Sequence, residues 1–163
     1  MRPAIFTSLL SLLLIAGSGC SDPEVVEVGK TAPGFELESL DGTWVESDSF
    51  KGDVLILNFW ATWCTPCLKE IPELKKIDAA SDVQIVGIAL DQDGRKAVSR
   101  FVERHGMEYT ILLGNDDVFQ RFQGFGIPYT LILDASFKVV KIYRGPFTAE
   151  ALEQDLQDLA QGA

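Results

Sequence analysis

The stretch Phe59-Trp60-Ala61-Thr62-Trp63-Cys64-Thr65-Pro66-Cys67 decides the reading of this chain. It begins in an apolar run, Val54 to Trp60, and leads into a helical pattern over about residues 65 to 79. Two thiols three residues apart therefore stand at a strand-to-helix junction and face each other across the first helical turn. They can close a small, reversible disulfide. Unpaired N–H groups and the partial positive charge at a helix start favour thiolate, with a pKa of about 3.5 to 7.5 in such motifs. Cys64 is the candidate nucleophile. Cys67, one turn deeper, is the candidate resolving thiol, whose thiolate attacks a mixed disulfide and releases the partner. Pro66 between them removes one N–H donor and presets φ, which tunes the redox potential. A structural zinc site needs about four ligands, and beside these two cysteines the exported domain supplies only His105. No metal is expected. A static disulfide is the remaining alternative, and its very short loop contributes little chain-entropy stabilisation.

Working outward, Gln84 to Leu90 and Thr130 to Leu133 are further near-continuous apolar runs, as in strands covered on both faces. Lys138 to Arg144 alternates basic with apolar residues, which predicts an edge strand after a turn at Asp134 to Phe137. Helical patterns occupy about 94 to 105, 116 to 123 and 148 to 160, with Asp93 and Thr148 expected as N-caps and Gly106 as a stop. Phe35 to Leu37 and Trp44 to Val45 flank Leu40-Asp41-Gly42-Thr43, a hairpin signal. Strands alternating with helices predict an α/β sheet. No internal repeat interrupts the pattern. Asp91-Gln92-Asp93-Gly94 lacks the distal ligands of a calcium loop and reads as a cap and turn. Gly124-Phe125-Gly126 lacks the strand-before, helix-after setting of a dinucleotide site, so no cofactor is expected.

The chain has 163 residues, 47% hydrophobic and 23% charged, which suits one soluble domain. Its net charge of −10 argues against nucleic acid as a partner. Residues 4 to 16 (AIFTSLLSLLLIA) form an uncharged run after Arg2, read as an export signal over residues 1–19. The run is short of the roughly 18 to 20 residues that a membrane-spanning helix needs. Cys20 follows Gly17-Ser18-Gly19, an arrangement that resembles the lipobox of bacterial lipoproteins, although Gly17 stands where that family usually has Leu. The resemblance implies an acylated Cys20 and a membrane anchor, and Ser21 in place of Asp implies the outer membrane. Ordinary cleavage after Ser18 would instead leave Cys20 as a free thiol. Residues 20–28 are expected to tether a folded domain over 29–163 on the periplasmic side.

The central motif, followed by Glu70 and Pro72, resembles the signature of the TlpA/ResA-type thioredoxin-like proteins, exported bacterial thiol:disulfide oxidoreductases. Val28-Gly29, Ala32-Pro33, Leu40-Asp41-Gly42 and Phe50-Lys51-Gly52 are similar to that family's N-terminal hairpin and lead-in, and Gly126-Ile127-Pro128 to its cis-proline segment. The resemblance implies a thioredoxin fold, a central mixed β-sheet flanked by helices, with an added N-terminal β-hairpin. It implies that Cys64 attacks and Cys67 resolves, and that Pro128 packs beside the two sulfurs. The Ile127 backbone would then bond an extended partner strand. Trp63, Pro66, Ile127, Pro128 and Tyr129 are the expected substrate contacts, with Tyr129 standing where Thr is common in the family.

Glu70 lies three residues after Cys67, on the same side of the helix. By its spacing alone it is either a desolvated carboxyl that moves protons to and from Cys67 or a solvated first-turn acid favoured by the helix dipole. The resemblance favours the former, because the family carries a functional glutamate at this spacing. Asn58 stands where cytoplasmic thioredoxins carry a buried Asp, which transfers the proton-handling role to Glu70. The implied partners are exported protein thiols and disulfides, apocytochrome c among them, and a membrane-bound electron donor. Two other functions fit less of the chain: a thiol peroxidase, which shares the hairpin but uses a lone peroxidatic cysteine, and a lipid-anchored peptide-binding or chaperone module.

Overall fold

The structure is a computed structural model and describes residues 26–162. The expected export signal, Cys20 and Ser21 lie outside the described residues. Seven strands form one mixed sheet: β1 (Glu36–Ser39), β2 (Trp44–Glu46), β3 (Leu55–Trp60), β4 (Gln84–Ala89), β5 (Thr110–Leu113), β6 (Tyr129–Leu133) and β7 (Val139–Arg144). Their spatial order is β2-β1-β5-β4-β3-β6-β7. Four α-helices pack on it: α1 (Cys67–Ala80), α2 (Arg95–His105), α3 (Asp116–Arg121) and α4 (Ala149–Ala160). This is a thioredoxin-like fold.

The sheet centre explains why β3 reads as an unbroken apolar run. Neighbouring side chains of a strand point to opposite faces, and here both faces are covered. Leu55, Leu57 and Phe59 enter one core layer with Phe35, Leu37, Phe122 and Tyr129. Ile56 and Trp60 enter the other, against Ile71, Leu74 and Ile77 of α1 and Leu152 of α4. β3 runs parallel to β4 and antiparallel to β6, so both neighbours hold it in register.

β5 is a strand that the apolar pattern does not single out, and it joins the hairpin to the domain. It lies parallel to β4 and antiparallel to β1, making β1 and β2 a continuation of the central sheet. The N-terminal boundary also differs from the expected tether over 20–28. Val26 is buried in the core, and the Gly29 N–H donates to the Val139 carbonyl at 2.7 Å, so the packed body includes Val26. The Gly29–Ala32 segment covers the start of β7 through bonds to Phe137 and Val139.

The helix ends follow local chemistry with one correction. Thr148 caps α4 by accepting the Ala151 N–H, and Gly106 closes α2 in the left-handed conformation at φ 58°. Asp93 does not cap α2. Gly94 occupies the cap with φ 73°, a backbone conformation that favours glycine, so no side chain caps α2. Among the described residues, no helix is long and apolar enough to cross a membrane.

Candidate active site

β3 ends at Trp60 and the chain turns through Ala61–Pro66 into α1. Asp91, just beyond β4, anchors that turn by accepting the Thr62 N–H at 3.0 Å and the Thr62 hydroxyl. Pro66 sits at the helix N-cap with φ −63°, near the value its ring imposes. Cys64 and Cys67 are joined as a disulfide, with Cα atoms 5.3 Å apart. Both are buried, while Trp63 is 67% exposed beside them. The Cys67 N–H donates to Cys64 Sγ at 3.2 Å. A donor aimed at Cys64 stabilises negative charge on that sulfur, which fits the attacking role.

Glu70, in the first turn of α1, is buried to 1% exposure. Its Oε2 accepts from Asn58 Nδ2 at 3.0 Å, and the same amide donates to Thr130 Oγ1 at 2.8 Å. The helix and two neighbouring strands are thereby tied together under the disulfide. Asn58 and Thr130 are the polar residues inside the otherwise apolar β3 and β6, directly opposite each other in register. Burial pushes the Glu70 carboxyl up to about 8 from an ordinary 4.5, against the opposing pull of the Asn58 amide and the Phe147 backbone N–H. The Phe147 N–H lies short of hydrogen-bond geometry, and Oε1 has no partner among the described residues. Trp60 Nε1 and the Tyr109 hydroxyl are unpartnered in the same core layer.

The segment before β6 forms the other wall. The Ile127–Pro128 bond is cis, and Ile127 is half-buried at the edge of a surface hollow that Trp63 also lines. Trp63 and Ile127 thus meet at one hollow next to the cysteine motif, and Pro66 is exposed between the two cysteines. Tyr129 does not join them. Its side chain is buried against Phe59, and its hydroxyl donates to the Phe122 carbonyl at 3.0 Å. As the first residue of β6 it takes the inward side of the pleat, so the expected side-chain contact with a partner is corrected to a packing role. Thr130 and Asp91 are site residues that the sequence reading passed over. A polar residue alone in a buried run was the available signal for Thr130, whereas nothing local marks Asp91.

A reversible disulfide at a helix start, a proton-holding carboxyl in the core and a cis-proline wall define a thiol:disulfide oxidoreductase. The Redoxin family profile matches residues 27–160. The thiol-disulfide oxidoreductase ResA of Geobacillus thermodenitrificans is 33% identical over 165 residues, covering 98% of this chain and 94% of the relative. A thiol:disulfide interchange protein of the thioredoxin family from Chlorobium tepidum superposes with a TM-score of 0.67 at 30% identity, covering 78% of this chain and 93% of that one. StoA from Bacillus subtilis superposes with a TM-score of 0.65 at 26% identity, covering 82% and 99%. The chain belongs to the Redoxin family, as a ResA-like thiol:disulfide oxidoreductase.

Proposed function

We propose that this protein reduces disulfides in exported polypeptides, apocytochrome c among them, on the periplasmic side of a bacterial membrane. Acylated Cys20 anchors it, Ser21 favours the outer membrane, and a membrane-bound donor restores the dithiol.

In the reduced protein, the Cys64 thiolate attacks one sulfur of the partner's disulfide. A bond forms between Cys64 Sγ and that sulfur, the partner's S–S bond breaks, and the other partner sulfur leaves as thiolate. In the fraction of molecules whose Glu70 is ionised at neutral pH, the carboxylate takes the Cys67 proton and the Cys67 thiolate attacks Cys64 Sγ. The Cys64–Cys67 disulfide forms and the second partner sulfur leaves. Two electrons have moved to the partner; one of its thiolates takes the proton that Glu70 holds and the other takes one from solvent, equal to that lost when Cys64 ionised.

The observation that carries this reading is Glu70. It is a buried carboxyl one turn from Cys67, raised to about 8. A carboxyl raised this far above 4.5 holds a proton more readily than a solvated carboxylate and returns it in the range where thiols work. A base at Cys67 speeds the resolving step, the step that releases a reduced partner.

The test is a Cys67→Ser variant expressed in the native host, with mixed disulfides separated by non-reducing electrophoresis. Exported proteins linked to Cys64 are the expected result. Absence of every such adduct, with peroxide consumption or thiol-independent peptide binding in its place, overturns the reading in favour of a peroxidase or a binding module.

A further inference from the structure

A hollow of about 700 Å³ opens beside the disulfide, lined among others by Trp63, Gln92, Asp93, Asp116, Phe125 and Ile127. Two features coincide there. The first is aromatic exposure: Trp63 is 67% and Phe125 90% exposed, although large apolar rings are ordinarily covered. The second is charge without compensation. The side chains of Asp93 and Asp116 make no hydrogen bond or ion pair among the described residues, and no lysine or arginine lines the hollow. On the adjoining side of the same loop the polarity reverses. A second hollow of about 390 Å³ shares Phe125, Gly126 and Ile127 and is lined by Arg144, whose guanidinium lies 5.8 Å from the Phe125 ring centre.

We propose that the hollow between Trp63 and Phe125 receives an arginine or lysine side chain that flanks the reacting cysteine of the polypeptide partner, and that Asp93 and Asp116 select it. This rests on the reading of Cys64–Cys67 as a centre that exchanges disulfides with polypeptides. A guanidinium suits both features at once, because it stacks on aromatic faces and presents N–H donors to carboxylates. An extended segment laid along the Ile127 backbone meets carboxylates on the Trp63 side and a guanidinium on the Arg144 side. The partner's basic residue is therefore held on one side of its cysteine, which fixes the direction in which the segment lies. Asp93 is available for this because Gly94, not Asp93, caps α2. The site selects among partners and takes no part in the electron transfer.

The test uses three synthetic peptides that differ only in the residue flanking one disulfide: Arg, Gln or Glu. Reduction by the dithiol protein is followed by stopped-flow tryptophan fluorescence, and kcat/KM is compared within each protein. Wild type is expected to favour the Arg peptide over the Gln peptide by about tenfold, from two exposed charge pairs and a cation–π contact. The preference should shrink with added salt. In the Asp93→Asn, Asp116→Asn double variant the ratio should fall towards one. Asp48→Asn combined with Asp158→Asn removes the same net charge elsewhere and should leave the wild-type ratio intact. A wild-type ratio near one, an unchanged ratio in the double variant, or an equal loss in the remote pair overturns the proposal. The oxidised protein with the dithiol peptides gives a second reading of the same ratio. Failure of reduction in every peptide, with selection retained in oxidation, counts against the reductive function and not against the hollow.

Discussion

Replacing Glu70 with Gln tests the proton-holding site through folding stability as well as chemistry. In the oxidised protein the Glu70 carboxyl lies at about 8, against an ordinary 4.5 for the solvated side chain. Between those values the folded state holds a proton that the unfolded chain has released, so stability falls as pH rises through the interval and levels off above it. One proton corresponds to a slope of about −1.4 kcal/mol per pH unit. Across the whole interval the loss approaches about 5 kcal/mol, an upper bound because a relaxing site admits water. Glu70→Gln keeps the shape and removes the titration. Its Oε1 can still accept from Asn58 Nδ2, while its own amide points towards the Phe147 N–H, a pH-independent cost. Urea unfolding of both oxidised proteins from about pH 5 to pH 9 measures the slopes. Wild type should lose stability steeply over this range and the variant should run nearly flat. Parallel curves would refute the burial argument and, with it, the assignment of Glu70 as a group that holds a proton near neutrality.

Three further outcomes follow from the same packing. Asn58→Leu removes the donor to both Glu70 and Thr130 and should cost about 1–3 kcal/mol in urea unfolding. It should also drive Glu70 higher, an upward move of its carboxyl titration read by 13C NMR, because the Asn58 amide holds the carboxyl down. Asp91→Ala leaves the Thr62 N–H and hydroxyl without their partner, so amide exchange at Thr62 should accelerate, with a loss of about 1–2 kcal/mol. Gly87→Ala places a methyl 2.8 Å from Ile111 Cδ1 and 2.9 Å from Trp60 Nε1, an overpacking expected to cost about 1–3 kcal/mol by thermal unfolding.

The elements legible in the sequence are those whose signal is local. The buried runs of β3, β4 and β6, the Cys64–Cys67 spacing, the Gly106 stop and the Thr148 cap each depend on neighbours within a few residues. β5 is a strand because β1 and β4, distant in the chain, pair with Thr110–Leu113, and no local feature names those partners. Asp93 was read as a cap because its residue type suits one, but the positive φ that the turn requires falls on Gly94. Tyr129, named as a substrate contact where the resembled family commonly has Thr, is turned inward onto Phe59 by the strand's alternation.

By itself, then, the sequence carries the chemistry: two thiols at a helix start and a carboxyl at helical spacing from the resolving thiol. Those features lie within single turns and runs of chain, where covalent geometry sets who meets whom. Only the tertiary structure decided the carboxyl's state, because burying Glu70 takes β3, β6 and α1 closing on one another around the Asn58 amide. It likewise decided that Asp93 and Asp116, distant in the chain, line one hollow beside Trp63. Desolvation and charge clustering belong to the packed whole, and no local stretch of sequence carries them.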